Sequence, residues 1–248
     1  MHYINIHLSK TMRMNSSITQ AMLMNHKVFG SLTQSQWDVL TKNISLISYP
    51  KNKIVYQVDD QADFVYFVEK GSVKIGSHSG HHKTMIKEIT YGGDFFGENI
   101  FSQGNIRKDF AETTSDVKLF VIPVLVFKNL LMENPAFTNT IMTNTLHKLE
   151  AMEERLQNFV FLKAKERISH FLHKIALRKG INIGVSEKLI NQGISHKDIA
   201  YLTDTSRQTV ARVLNELKRD NIIHYGGGKS CKILIRDMFQ LEKLSLVG

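Results

Sequence analysis

Arg207, Gln208 and Arg212 come to one side of the run Ser206-Arg-Gln-Thr-Val-Ala-Arg-Val-Leu-Asn-Glu-Leu217 when it is wound into a helix. Val210, Val213, Leu214 and Leu217 then share the opposite side. An arginine fork can grip O6 and N7 of guanine, and a glutamine amide can pair with N6 and N7 of adenine. The chemistry of this trio is therefore major-groove reading rather than catalysis. Ser206, or Thr205 if the end shifts by one, is the expected N-cap, because its hydroxyl can accept a free backbone N–H. Ser195 plays that part for a preceding helix over Ile194–Leu202. Ser195, His196, Lys197, Ser206 and Thr209 thus gather at two helix N-termini, where phosphate contacts position a reader without specifying sequence.

Other reactive residues give weaker patterns. His78, His81 and His82 form the one local histidine cluster, which a metal-dependent cupin-type enzyme could use. Their Ser/Gly-rich setting fits a hairpin tip better, so no metal site is assigned. Cys231 is the only cysteine, which excludes an intrachain disulfide, a four-cysteine cluster and a zinc ribbon, and fits a reducing cytoplasm. A redox-sensing role for Cys231 and a packed strand residue are both open, as is a haem sensor with His or Met ligands. No nucleophile–base set or phosphate loop occurs at usable spacing, so no catalytic residue is expected.

The reading helix must be carried by something. The two helices are joined by the polar turn Thr203-Asp204-Thr205 and followed by Ile222–Tyr225, Gly226–Gly228 with Lys229, and Cys231–Ile235, a hairpin that reads as a wing. Charge agrees: residues 1–150 hold 15 basic and 13 acidic groups, and residues 151–248 hold 17 and 10. The excess of the 248-residue chain, net +9, lies in its last two-fifths, as a polyanionic partner requires. Upstream, Met142, Thr145, Leu149, Met152, Leu156 and Phe159 step by three and four on a long helix after Pro135. So narrow a seam suits a second copy of the helix, and packing against its own sheet is the alternative. A second helix follows to Lys179, with a hinge expected near Asn158–Lys163. Between Ser45 and Pro123, short alternating runs (Lys53–Gln57, Phe64–Val68, Ser72–Gly76, Thr84–Ile89 and Val117–Ile122) predict an antiparallel sandwich or jelly roll. Gln20–Ile44 reads as a short helical stretch, and the basic segment before it as a loose leader or the product of an early start codon. No apolar run approaches the ~18 residues of a membrane span.

Taken together, these motifs resemble the Crp/Fnr family of bacterial transcription regulators over nearly the whole chain. Ser206–Arg212 with Asn221-Ile-Ile223 resembles the recognition helix and its exit, and Lys70-Gly-Ser-Val73 resembles a turn of the β-roll. Gly93-Asp-Phe-Phe-Gly-Glu98 resembles the start of the phosphate-binding cassette, and Asn134-Pro135 the start of the dimer helix. The resemblance implies a homodimer reading a palindromic operator. It also implies an effector site of Gly97, Glu98, Arg107 and Lys108, with Lys148 and Met152 on the dimer helix. Lys108 and Asp109 stand where the family has a hydroxyl and a small residue, Met152 cannot bond an adenine amino group, and Asp109 is expected to repel a phosphodiester or to compete for Arg107.

The expectation is an α+β chain: a loose leader (1–19), an antiparallel β-roll of the cyclic-nucleotide-binding-like jelly-roll type (20–135), a dimerisation helix and hinge (136–162), and a C-terminal winged helix-turn-helix (163–248). It is read as a cytoplasmic, non-enzymatic, homodimeric regulator of double-stranded DNA, with RNA polymerase as a further partner. No cofactor is assigned; a small effector, cyclic nucleotide or other anion, is allowed, and cyclic AMP is disfavoured. A metal-dependent cupin enzyme and a cyclic-nucleotide-binding interaction module are the alternatives.

Overall fold

The computed structural model describes residues 11–12, 15–78, 84–98, 100, 104–225 and 231–245. They fall into two compact units, residues 1–148 and 149–248, which divide within one long helix.

The first unit is built on strands that are apolar on both faces. In β4 (Phe64–Lys70) and β9 (Val117–Pro123), alternate side chains serve two cores. Tyr66, Val68, Leu119 and Val121 point into the roll, whereas Val65, Phe67, Phe120 and Ile122 face a helical layer. One sheet has the order β1-β2-β9-β4-β7 and the other β3-β8-β5-β6, with all pairings antiparallel. Here β1 is Thr11–Met12, β2 Ser45–Tyr49, β3 Ile54–Tyr56, β5 Ser72–His78, β6 Thr84–Tyr91, β7 Phe95–Phe96 and β8 Phe110–Thr113. The turn after β4 requires glycine: Gly71 has φ +91°, and a Cβ there would lie 2.3 Å from the Asp116 carbonyl oxygen.

The helical layer departs from expectation. The segment read as a loose leader contributes Thr11–Met12, paired with β2, and the start of α1 (Ser16–Met24), whose Thr19 and Leu23 are buried. Asn15 caps α1 by accepting from the Ser17 N–H. The single helical stretch expected over Gln20–Ile44 is divided into the end of α1, a 3-10 turn at Lys27–Phe29 and α2 (Gln34–Asn43). Thr33 and Gln36 cap α2 reciprocally. Phe29, Leu32, Trp37 and Leu40 are all buried, together with Phe127 of α3 (Val124–Glu133) and Phe137.

Helix α4 runs over Pro135–Phe161. Its exposed apolar residues are Met142, Leu146, Leu149, Met152, Leu156, Phe159, Val160 and Phe161. Thr145 of the anticipated seam is exposed, and its hydroxyl donates to the Ile141 carbonyl within the helix. Among the described residues no helix is long and apolar enough to cross a membrane.

The second unit packs α5 (Ala164–Lys179), α6 (His196–Leu202), α7 (Arg207–Arg219) and α8 (Met238–Ser245) with a sheet of order β10-β11-β13-β12. Its strands are β10 Ile181–Asn182, β11 Lys188–Ile194, β12 Ile223–Tyr225 and β13 Cys231–Ile235. Ile168, Leu172, Ile199, Val213, Ile223 and Ile233 lie in its core. Antiparallel β12 and β13 form the wing, with Ile223 opposite Ile235 and Tyr225 opposite Ile233. Its tip, Gly226–Gly228 with Lys229, lies outside the described residues, as do His81 and His82.

Candidate nucleic-acid interface and effector cassette

Helix α7 is held by its ends and its inner face. Ser206 caps it, accepting from the Thr209 N–H at 3.0 Å. At the other end Asn221 takes φ +58°, and the N–H groups of Asn221 and Ile222 close back on the carbonyls of Lys218 and Leu217. Val210, Val213, Leu214 and Leu217 are fully buried. Arg207, Gln208 and Arg212 are therefore turned outward together, and all three are exposed. Arg212 is steadied by Glu216 at 2.8 Å, and Glu216 also meets Lys165 at 3.2 Å. Lys165 and Arg212 together hold the Glu216 carboxyl below its ordinary range.

At the first helix, the Ser195 hydroxyl accepts from the Asp198 N–H and donates to its carboxylate at 2.6 Å, completing a capping box. Lys197 and Ser206 are exposed, and Thr209 half-buried. The His196 ring stands edge-on to Tyr225 at 5.9 Å, with Nε2 buried. Burial, then the neighbouring Arg207, lowers its pKa below the ordinary histidine value. Tyr225 in turn ties the wing to α7, through its hydroxyl on Asn215 at 2.8 Å and Lys218 over its ring at 5.1 Å. That tie joins the helix to the strand that follows it and had no sequence signal.

The cassette residues are brought together, but they are occupied by each other. Arg107 is 1% exposed. Its guanidinium donates to the Gly97 carbonyl at 2.7 Å and to the Phe64 carbonyl, and lies 4.2 Å from the centre of the Tyr56 ring. Gly97 has φ +76°, and a Cβ there would come within 2.8 Å of Arg107 Nη1. Glu98 is paired with Lys148, which also reaches Glu88 at 3.2 Å and the Phe95 carbonyl at 2.8 Å. Burial raises the pKa of Glu88. Burial lowers that of Lys148, but Glu98 and Glu88 outweigh it and the net shift is upward. Burial also raises Tyr66, to about 12 against the pull of Arg107.

Asp109 differs from the expectation of a rival for Arg107. It is buried, and Lys87 takes its Oδ2 at 3.1 Å. Lys108 is exposed, and Met152 lies on the open seam of α4. Lys87, Tyr56 and Glu88 were not anticipated, because they reach this cluster through strand register rather than through any local motif. Among the described residues no group of three or more histidine, cysteine or acidic side chains could hold a metal.

A β-roll joined through a long helix to a winged helix-turn-helix defines a two-domain transcription regulator. A cyclic nucleotide-binding domain model matches residues 46–134, and a Crp-like helix-turn-helix domain model matches residues 166–244. The chain belongs to the Crp/Fnr family of DNA-binding transcription regulators. It is similar to the cAMP-activated global transcriptional regulator CRP of Haemophilus influenzae, at 26% identity over 183 residues, covering 73% of this chain and 81% of that one. In structure it resembles FixK2 of Bradyrhizobium japonicum, with TM-score 0.72 and 21% identity, covering 83% of this chain and 98% of that one. It also resembles a CooA mutant of Carboxydothermus hydrogenoformans, with TM-score 0.71 and 20% identity, covering 96% and 99%. The H. influenzae relative is a transcriptional regulator by name.

Proposed function

We propose that the protein is a homodimer that reads a palindromic operator through α7 and does not respond to cyclic AMP. The observation that carries the reading is the capped, half-buried α7, which projects Arg207, Gln208 and Arg212 together into solvent. Arg207 and Arg212 would take guanines, and Gln208 an adenine. Lys197, Ser206 and Thr209, with the two helix starts at Ser195-His196 and Ser206, would hold phosphates. The exposed seam of α4 supports dimerisation, because two copies would bury it and set the half-sites about one DNA turn apart.

The cassette reading rests on Arg107, Glu98 and Lys148. A phosphodiester would have to displace the backbone carbonyls now held by Arg107, and a ribose would have to displace Lys148 from Glu98. The H. influenzae relative is cAMP-activated by name; in this chain Arg107 is engaged with backbone carbonyls and Glu98 with Lys148, which supports the reading of a different anion or no effector. The working division is a β-roll over 20–135, a dimerisation helix over 136–162 and a winged helix over 163–248. Its place would be the cytoplasm, beside DNA and RNA polymerase. Selection from a randomised duplex pool tests this reading: a palindrome is expected, and an Arg207→Ala variant should lose preference at one base pair per half-site. A pool that stays random with the wild-type protein overturns it.

A further inference from the structure

Asp204 occupies an unusual backbone position for its type. It is the residue after the C-cap of α6, in the turn that leads into α7, and its φ is +50°. The Thr205 N–H closes back on the Ala200 carbonyl at 3.0 Å, the bond of a helix ending through a left-handed residue. Glycine serves that position without strain, and asparagine is the usual second choice. An aspartate here needs a reason, and its carboxylate supplies one. Arg155 of α4 donates Nε–H to Oδ2 at 2.8 Å and Nη2–H to Oδ1 at 2.7 Å, a two-point fork, and Nη2 also reaches the Tyr201 carbonyl at 2.6 Å.

A second arginine works on the same turn. Arg167 of α5 donates to the carbonyls of Thr203 at 2.8 Å, Asp204 at 3.1 Å and Leu162 at 2.7 Å. The turn between the two DNA-facing helices is thus gripped by the end of one long helix and the start of the next. The expected hinge at Asn158–Lys163 lies inside this grip, whereas the compact units divide earlier, between residues 148 and 149.

We propose that Asp204 is a positioning residue for operator reading. Held by Arg155, it fixes the α6–α7 turn to α4 from Leu149 onward, so that the helix carrying the dimer seam sets the direction in which α7 points. This rests on the reading of α7 as the DNA reader. Its consequence is that the operator's half-site spacing is fixed by the Arg155–Asp204 fork, while the bases read within each half-site are not.

The test uses the full-length protein and the palindrome selected by the wild type. Affinities are measured for that palindrome and for versions lengthened or shortened by a single base pair, with wild type, Asp204→Asn and Arg155→Gln. Asn tolerates the left-handed backbone but cannot form the charged fork, and Arg155→Gln breaks the fork from the other side. Both variants should lose about ten-fold in discrimination between correct and altered spacing, while the base preferences within a half-site stay those of the wild type. Arg155→Lys, which keeps charge without the fork, should fall between. A role in stability alone would lower the melting temperature and leave spacing discrimination intact, and that result would overturn the proposal. Should Asp204→Asn not fold, Arg155→Gln decides by the same ratio. A wild-type protein that selects no palindrome would overturn both this proposal and the DNA reading beneath it.

Discussion

Arg107 Nη1 lies 2.7 Å from the carbonyl oxygen of Gly97, inside the β-roll and away from solvent. A cationic side chain in that place is a natural phosphate anchor, yet here Nη1 and Nη2 are directed at the chain's own backbone, while the buried Nε has no hydrogen-bond partner among the described residues. The same guanidinium bridges to the Phe64 carbonyl, so it joins the residue after β7 to the first residue of β4. In this protein the arginine does the work of a core cross-link.

Stability should therefore depend on Arg107. Arg107→Ala would leave two buried carbonyls without donors, and is expected to cost about 3 kcal/mol in urea denaturation of the full chain. Lysine should not rescue it, because a single ammonium cannot reproduce the fork. Loss of well under ~1 kcal/mol would mean that the guanidinium is not structural.

Acid should weaken the C-terminal unit. Burial lowers the pKa of His170, His173 and His196 below the ordinary histidine value, with Arg207 adding to the effect at His196. Glu154 lies 2.9 Å from His170, but it is shared with Lys174, and burial wins. Each histidine binds its proton more weakly in the folded chain than in the unfolded one. The stability this gives is present above the unfolded value near 6.5 and is lost as pH falls through the lowered values. Melting of the full chain at about pH 7.5 and about pH 5.5 should show the lower temperature in acid, and Asn at positions 170 and 173 should reduce the difference. An unchanged or raised melting temperature in acid would contradict it.

The seam of α4 should set oligomeric state. Leu156 is 64% exposed in the single chain, so Leu156→Arg should leave the fold intact while placing a charge in the paired seam. Sedimentation is expected to show dimer association weakened about 100-fold, with the melting of the separate chain little changed. A variant that stays dimeric at the wild-type concentration would place the contact elsewhere.

Base choice should follow residue 208. Gln208 is exposed one position beyond Arg207. A glutamate there could only accept, so Gln208→Glu should move one base pair of each half-site towards cytosine, by about 1–3 kcal/mol in competitive binding. An identical selected sequence for both proteins would remove Gln208 from the readers.

Helix α7 was the most legible part of the chain, because serine caps, a four-residue inner face and outward Arg/Gln side chains are all local signals. Strands β4, β5, β6 and β9 were legible for the same reason. By contrast, α3 (VLVFKNLLME) is apolar nearly throughout, and such a run does not separate helix from buried strand. β7 is two residues long and β10 likewise, too short for any period. In the cassette, the type of Arg107 was visible, but its partners are backbone carbonyls that no side chain announces. Lys148 and Glu88 meet across 60 residues of sequence, and Arg155 and Asp204 across 49. Only folding brings such pairs together.

The most direct test is the affinity of the full-length protein for its selected operator, measured by fluorescence anisotropy with and without cyclic AMP at fixed salt. Tight binding without nucleotide, unchanged when cyclic AMP is added, is the predicted result. Binding that appears only when cyclic AMP is present would contradict it, because Arg107 and Glu98 would then have to release Gly97 and Lys148 to take the ligand.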